Sequence, residues 1–480
     1  MKQINHVRVI RSGIICISMF MLLHTFSLAQ HKSRILANLA GFPDSEGVIR
    51  TFSANGNIDL TGAFFQSLGT NGRSCGTCHQ PADAMSVSAA HVQERFDASK
   101  GLDPIFRTND GSNCDHDIDV STTTGRSEAY SLLRTRGLIR VALNLPPNRD
   151  FEVMHVQNPY SCSETQTVSM YRRPLPATNL RFLTTVMFDG RESSTQTGTT
   201  PISFANYPDA LLADLRQQAT DATMSHAQAR TEPTPGQLKD IVTFEMALST
   251  AQAEGKGSGS LSAQGATGGP QALVQEQFFV GTNDPVGLNP TQSDFTTRIF
   301  NLFDAWKNAG PHREAIYRGQ TVFNTKKITI SGVGGLNGTT FPNNVHVPDT
   351  IVATCGICHD TPNVGNHSVS APLDIGVADP PGGRNVLDVS YLPVVTICQK
   401  PALTTCVNTT DPGRAMITGN FADVGRFKGP ILRGLAARAP YFHNGSAGSL
   451  MDVVDFYDSR FNISFTLQEK LDLVAFLNSL

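Results

Sequence analysis

Ser74-Cys75-Gly76-Thr77-Cys78-His79 has a counterpart far downstream in Thr354-Cys355-Gly356-Ile357-Cys358-His359. Each reads C-x-x-C-H, the spacing of covalent c-type haem attachment. Two thiols three positions apart each add to one porphyrin vinyl group, and the histidine that follows is held beneath the iron as its proximal ligand. The rival reading is a four-thiolate zinc site. Structural zinc sites join their cysteine pairs across a short segment, whereas more than half of this chain separates the two pairs. Zinc also leaves both adjacent histidines without a role. The motifs therefore read as two covalent haems, on Cys75, Cys78, Cys355 and Cys358, with His79 and His359 as axial ligands.

At 480 residues the chain exceeds one ordinary core and is expected to divide into two or three domains. Residues 1–29 have the form of a secretory signal peptide. Basic residues come first, an apolar run follows from Gly13 to Leu28, and Ser27-Leu28-Ala29 makes a small-x-small cleavage site. An uncleaved anchor is the alternative; nothing later is apolar for long enough to span a bilayer. Removing Lys2, Arg8 and Arg11 with the leader makes the formal charge more negative than −3. Mild acidity without a basic run gives no reason to invoke nucleic acid. Export to the periplasm fits haem c, which is attached outside the cytoplasm. Of nine cysteines, Cys16 leaves with the leader and four hold haem, so Cys114, Cys162, Cys398 and Cys406 remain for an oxidising compartment. Three pairings are open; Cys398–Cys406, closing a short loop, and Cys114–Cys162 are favoured.

Leu60 to Leu68 is amphipathic and predicts a first helix leading into the first motif. Asp115-His116-Asp117-Ile118-Asp119 alternates carboxylates but is incomplete as a calcium loop, and reads as a solvated turn. Helices are expected over 207–230, about 234–252 and 313–323. The Gly/Ser-rich stretch 254–270 is the best linker, dividing an N-terminal haem domain (30–253) from a C-terminal one (271–480). Thr466-x-x-Glu469 is a capping box, and Leu467, Leu471, Val474 and Leu477 suggest one apolar stripe behind it. Leu450, Val453, Val454 and Tyr457 make another. The expected fold class is mainly α, two cytochrome c-type haem domains with long irregular loops.

The two motifs, Met187–Glu192 (MFDGRE) and the run from Asp411 to Leu480, with Pro440–Ser446 (PYFHNGS) inside it, resemble the bacterial di-haem cytochrome c peroxidase and MauG-like family. The likeness covers most of the chain beyond about residue 50. It implies an N-terminal haem, on His79, where hydrogen peroxide binds, and a C-terminal relay haem on His359. Its peroxidases place a methionine about one helical segment after the histidine of PYFH; here that position is Tyr457, as in MauG-like members. Phenolate favours ferric iron over ferrous. Met416 is the competing sixth ligand.

The family's distal acid–base glutamate is missing. The matching segment, Gln217–Ala229, offers His226 in its place, with Gln218 matching a family glutamine and Gln228 nearby. A histidine performs the same proton transfer near neutral pH. Phe188 stands where the family often has a tryptophan between its haems. Arg173 stands near an expected calcium-binding asparagine, so interface calcium stays open. The expected partners are peroxide and either a small cytochrome c or cupredoxin donor or a protein substrate. A non-catalytic two-haem electron carrier is the alternative.

Overall fold

Gly47–Ser53 alternates along its length between fully buried and half-buried side chains, the mark of a strand with one face in the core. In the computed structural model it lies at the centre of a four-stranded antiparallel sheet, between Gly41–Asp44 and Leu248–Gly255, with Gly259–Ser260 at the far edge. The structure describes residues 34–114, 118–160, 162, 167–193 and 207–480; the leader 1–29 with Cys16, and Asp115-His116-Asp117, lie outside the described residues. Ile35–Leu480 forms one unit.

The mainly α expectation is corrected. Helix accounts for 28% and strand for 18% of the structure, and among the described residues the strands fall into five small antiparallel sheets. The reason lies in their burial. Thr167–Arg172 is buried along nearly its whole length, so it shows no polar/apolar alternation that a sequence reading would catch. Phe151–Gln157 pairs with Val394–Gln399, which pairs in turn with Cys406–Thr409, so one sheet joins strands from distant parts of the chain. The Cys398–Cys406 disulfide bridges two directly opposed residues of that sheet, and Cys114–Cys162 is the second disulfide.

The expected helix over Leu60–Leu68 is also corrected: only a single 3-10 turn forms, Ala63–Phe65. Longer helices follow their patterns. Asp209–Ser225 and Pro235–Met246 lie where helices were expected, the second opening on a Thr234/Gln237 capping box and ending before Leu248 starts a strand. The Gly/Ser-rich stretch 254–270 carries the turn into Gly259–Ser260, and its Leu261 and Ala266 join the core around Trp306.

The helices Pro311–Thr325 and Leu467–Leu477 pack closely against each other. A Cβ on Gly319 would lie 1.9 Å from the Asp472 carbonyl oxygen, so only glycine permits this approach. Arg318 clamps the crossing through Nε and Nη2 on the Asp472 carboxylate, at 2.7 and 2.8 Å. The Thr466/Glu469 capping box is present. The stripe behind it holds only in part: Leu477 is buried and Val474 packs against the core, but Leu467 is 70% and Leu471 48% exposed, and the buried face is Asp472, Leu473, Phe476 and Leu477. Phe476 lies edge-on to Phe300, Phe303 and Phe323, and cutting it to alanine should cost roughly 3–5 kcal/mol. Among the described residues no helix is long and apolar enough to cross a membrane.

Candidate functional site

Ser74 caps the short helix Cys75–Cys78, its backbone N–H donating to Thr77 Oγ1 at 2.9 Å, and so fixes both cysteines on one turn. Downstream, Thr354 Oγ1 accepts from Gly356 N–H at 3.3 Å ahead of the 3-10 turn Cys355–Ile357. Both histidines are tethered alike. His79 Nδ1 donates to the Met85 carbonyl at 2.9 Å and His359 Nδ1 to the Gly365 carbonyl at 2.6 Å, each six residues on. With Nδ1 occupied, Nε2 is the nitrogen left to ligate. Burial lowers both imidazole pKa values and keeps them neutral. Phe64 lies 6.0 Å from the His79 ring and Phe323 6.1 Å from the His359 ring, at tilts of 58° and 57°.

All four motif cysteines are unpaired thiols. Burial pushes Cys75, Cys355 and Cys358 up to about 12. Among the described residues no group of three or more His, Cys, Asp or Glu side chains converges to hold a metal ion. Instead both motifs open on one cavity of about 420 Å³, walled mainly by leucine, isoleucine, valine, proline and phenylalanine. Paired thiols, a histidine with Nε2 available and an apolar slot fit a covalent porphyrin at each motif.

His226 also lines this cavity, at the end of the helix Asp209–Ser225. Its Nδ1 hydrogen-bonds the Asp110 carboxylate, which is paired in turn with Arg73, the residue just before the first motif. Arg73 is held by the Pro104 carbonyl through Nε at 2.9 Å and the Ile105 carbonyl through Nη2 at 2.6 Å. Burial by itself would raise the Asp110 pKa, but His226 and Arg73 outweigh it and hold the carboxyl below its usual range. The loop before the motif is pinned to this segment: Thr70 N–H donates to the Ala227 carbonyl at 3.0 Å, and Asn71 Nδ2 to the His226 carbonyl at 2.7 Å. A Cβ on Gly69 would stand 1.9 Å from the Ala227 oxygen, so this contact too requires glycine.

Gln218 lines the cavity. Gln228 does not; it is exposed, and its Oε1 accepts from Asn71 Nδ2 at 3.4 Å. Tyr457 lines the part of the cavity beside the second motif, among the rings of Phe442, Phe456 and Phe461. Burial, then the neighbouring Cys358 and Cys355, push its phenol pKa up. Met416 is not part of the lining. It is buried in a separate core with Phe151, Val395 and Ile397.

Sequence reasoning missed Asp110, which lies in an irregular loop without periodicity. It also missed Glu245, a cavity residue whose burial raises its pKa to about 8. Phe188 lies on the wall beside His443, whose ring stacks on Phe427 at 3.9 Å and which burial keeps neutral, at about 4.

No family model matches the chain. Over 81 residues, 15% of this chain, it is 41% identical to the cytochrome-c peroxidase IdrP1 of Pseudomonas sp. (strain SCT), covering 21% of that protein. Over 69 residues it is 41% identical to the cytochrome c551 peroxidase of Nitrosomonas europaea, 14% of this chain and 21% of that one. The chain thus spans about a fifth of the length of the curated relatives it matches, and over that segment its resemblance to the bacterial cytochrome-c peroxidases holds. Two solved structures align over most of the chain. One is a MauG-like protein associated with microbial copper homeostasis, with a TM-score of 0.33 and 15% identity, covering 86% of this chain and 85% of that one. The other is Kuenenia stuttgartiensis hydrazine synthase, with a TM-score of 0.32 and 16% identity, covering 82% and 93%. Scores this low carry no argument for a shared fold.

Proposed function

We propose that the chain is an exported di-haem peroxidase-type oxidoreductase that reacts with hydrogen peroxide beside His226. One observation carries the reading: both C-x-x-C-H motifs and a histidine anchored by a buried carboxylate open on the same cavity. Haem held there supplies iron able to exchange electrons with peroxide. Cys75, Cys78 and His79 would hold the first haem, and Cys355, Cys358 and His359 the second, each in its own haem domain.

The chain's own residues supply binding and proton transfer. Asp110 orients the His226 ring, leaving Nε2 to take a proton from one peroxide oxygen and return it to the other. Gln218 offers an amide to orient the peroxide. Complete reduction takes two electrons and two protons per peroxide and releases two waters. The electrons come either from a small cytochrome c or cupredoxin or, in a MauG-like reaction, from a residue of a partner protein. Tyr457 beside the second motif, with Met416 in another core, supports the MauG-like version.

Stopped-flow absorbance after mixing with one equivalent of hydrogen peroxide tests this, on fully ferric and on half-reduced protein. A rapid Soret change in the ferric protein is the expected result. Reaction only after half-reduction would assign the electron-consuming peroxidase and count against Tyr457 as ligand. No reaction in either state would leave a two-haem electron carrier.

A further inference from the structure

The charge on the cavity wall does not balance. Five cations line it, Arg73, Arg173, Lys428, Arg433 and Arg438, against two acids, Asp110 and Glu245. Asp110 is matched by Arg73, and burial keeps Glu245 protonated at neutral pH. Among the described residues, the four remaining cations have no carboxylate within ion-pair distance.

Backbone carbonyls hold these cations in place without cancelling their charge. Arg433 donates through Nε and Nη2 to the Asn363 carbonyl at 2.9 and 2.6 Å, while its Nη1 is buried with no partner. Arg173 binds the carbonyls of Val87, Arg136 and Arg438. Lys428 Nζ reaches only the Thr185 carbonyl, at 2.9 Å, and Arg438 Nε is buried without a partner. Uncompensated buried cations are costly, so a site that retains four of them is built for anions. Guanidinium groups suit carboxylates in particular.

We infer that Arg173, Lys428, Arg433 and Arg438 bind the propionate carboxylates of the two haems, four cations for four carboxylates. The inference rests on the two-haem reading above. Two of the cations divide between the motifs. Arg173 holds the carbonyl two residues beyond Met85, the tether of His79; Arg433 holds the carbonyl two residues before Gly365, the tether of His359.

The test is spectroelectrochemical titration of the holoprotein and of the Arg173→Gln and Arg433→Gln variants, with haem counted by pyridine haemochrome. Losing a cation beside a propionate favours ferric iron. Each variant should shift one redox wave, a different one in each, toward the oxidised form by about tenfold in equilibrium, or 59 mV for one electron. Lysine at the same position should restore it. Unmoved waves with two haems present would overturn the inference alone, whereas a count other than two would sink the two-haem reading as well. If the glutamine variants fail to fold, resonance Raman of the wild-type holoprotein in H2O and D2O decides. Propionate bending modes that shift on exchange support the contacts, and unshifted modes at both haems overturn them.

Discussion

The two motif regions are near copies in how each tethers its histidine and unlike on the side that faces the remaining cavity. Each tethers its histidine through Nδ1 to a carbonyl six residues on, and each sets a phenylalanine about the same distance from that ring. Beyond this, the first region brings in a polar chain, Arg73–Asp110–His226, and the second a tyrosine among phenylalanines. The local tether is therefore common to both, and on the proposed reading the difference in reactivity comes from what the rest of the fold delivers opposite.

The sharpest way to break this contrast is to remove His226. His226→Ala should slow the reaction with peroxide by about 10²–10⁴-fold, the usual worth of a positioned proton-transfer group. The variant should keep both haems. A rate constant within threefold of wild type would show that the two regions do not differ in the way proposed.

Asp110 comes next, because it serves both the site and the fold. Asp110→Asn leaves Arg73 buried without its counter-charge, which should cost about 3–5 kcal/mol in denaturant unfolding at pH 7. The pH dependence has a fixed sign. Asp110 titrates below its usual value in the folded protein, so its contribution is present above the unfolded pKa of about 4 and is lost as pH falls through the folded value. The gap between wild type and variant should therefore narrow below pH 4. A gap constant from pH 7 to pH 3 would rule out the ion pair as its source.

Two glycines sharpen the comparison further, since each would place a Cβ 1.9 Å from a backbone oxygen. Gly319→Ala forces apart the helices Pro311–Thr325 and Leu467–Leu477 and should cost about 1–3 kcal/mol, with peroxide reactivity unchanged. Gly69→Ala pushes on Ala227, the neighbour of His226, and should lower peroxide reactivity as well as stability. If both variants lose only stability, the Gly69 contact does not position His226.

What the sequence revealed follows from how local each signal is. The Thr466/Glu469 capping box and the short Cys398–Cys406 loop are encoded within a few residues, and both stand as read. The sheets are not local. Phe151–Gln157 pairs with residues more than two hundred positions away, and Thr167–Arg172 is too buried to alternate. That is why a mixed fold looked mainly helical. Asp110, Lys428, Arg433 and Arg438 escaped for the same reason: a charge has meaning only against partners that folding supplies.

The last helix shows how far periodicity alone can mislead, and it sets the smallest expected effect. Leu467, Leu471, Val474 and Leu477 lie at i, i+4, i+7 and i+10, a spacing that fits one helix face. Yet the buried face is turned toward Leu473 and Phe476. The close approach at Gly319 and the Arg318 clamp both act on Asp472, which brings that residue to the interface and rotates Leu467 and Leu471 toward solvent. A polar side chain thus helps set the phase of an apolar helix. Leu467→Ser and Leu471→Ser should each change stability by no more than about 0.5 kcal/mol, whereas Leu473→Ala should cost about 2–5 kcal/mol. Thermal or urea unfolding of the three variants measures this directly. A loss above 2 kcal/mol at Leu467 or Leu471 would mean that those leucines are covered in the folded protein after all.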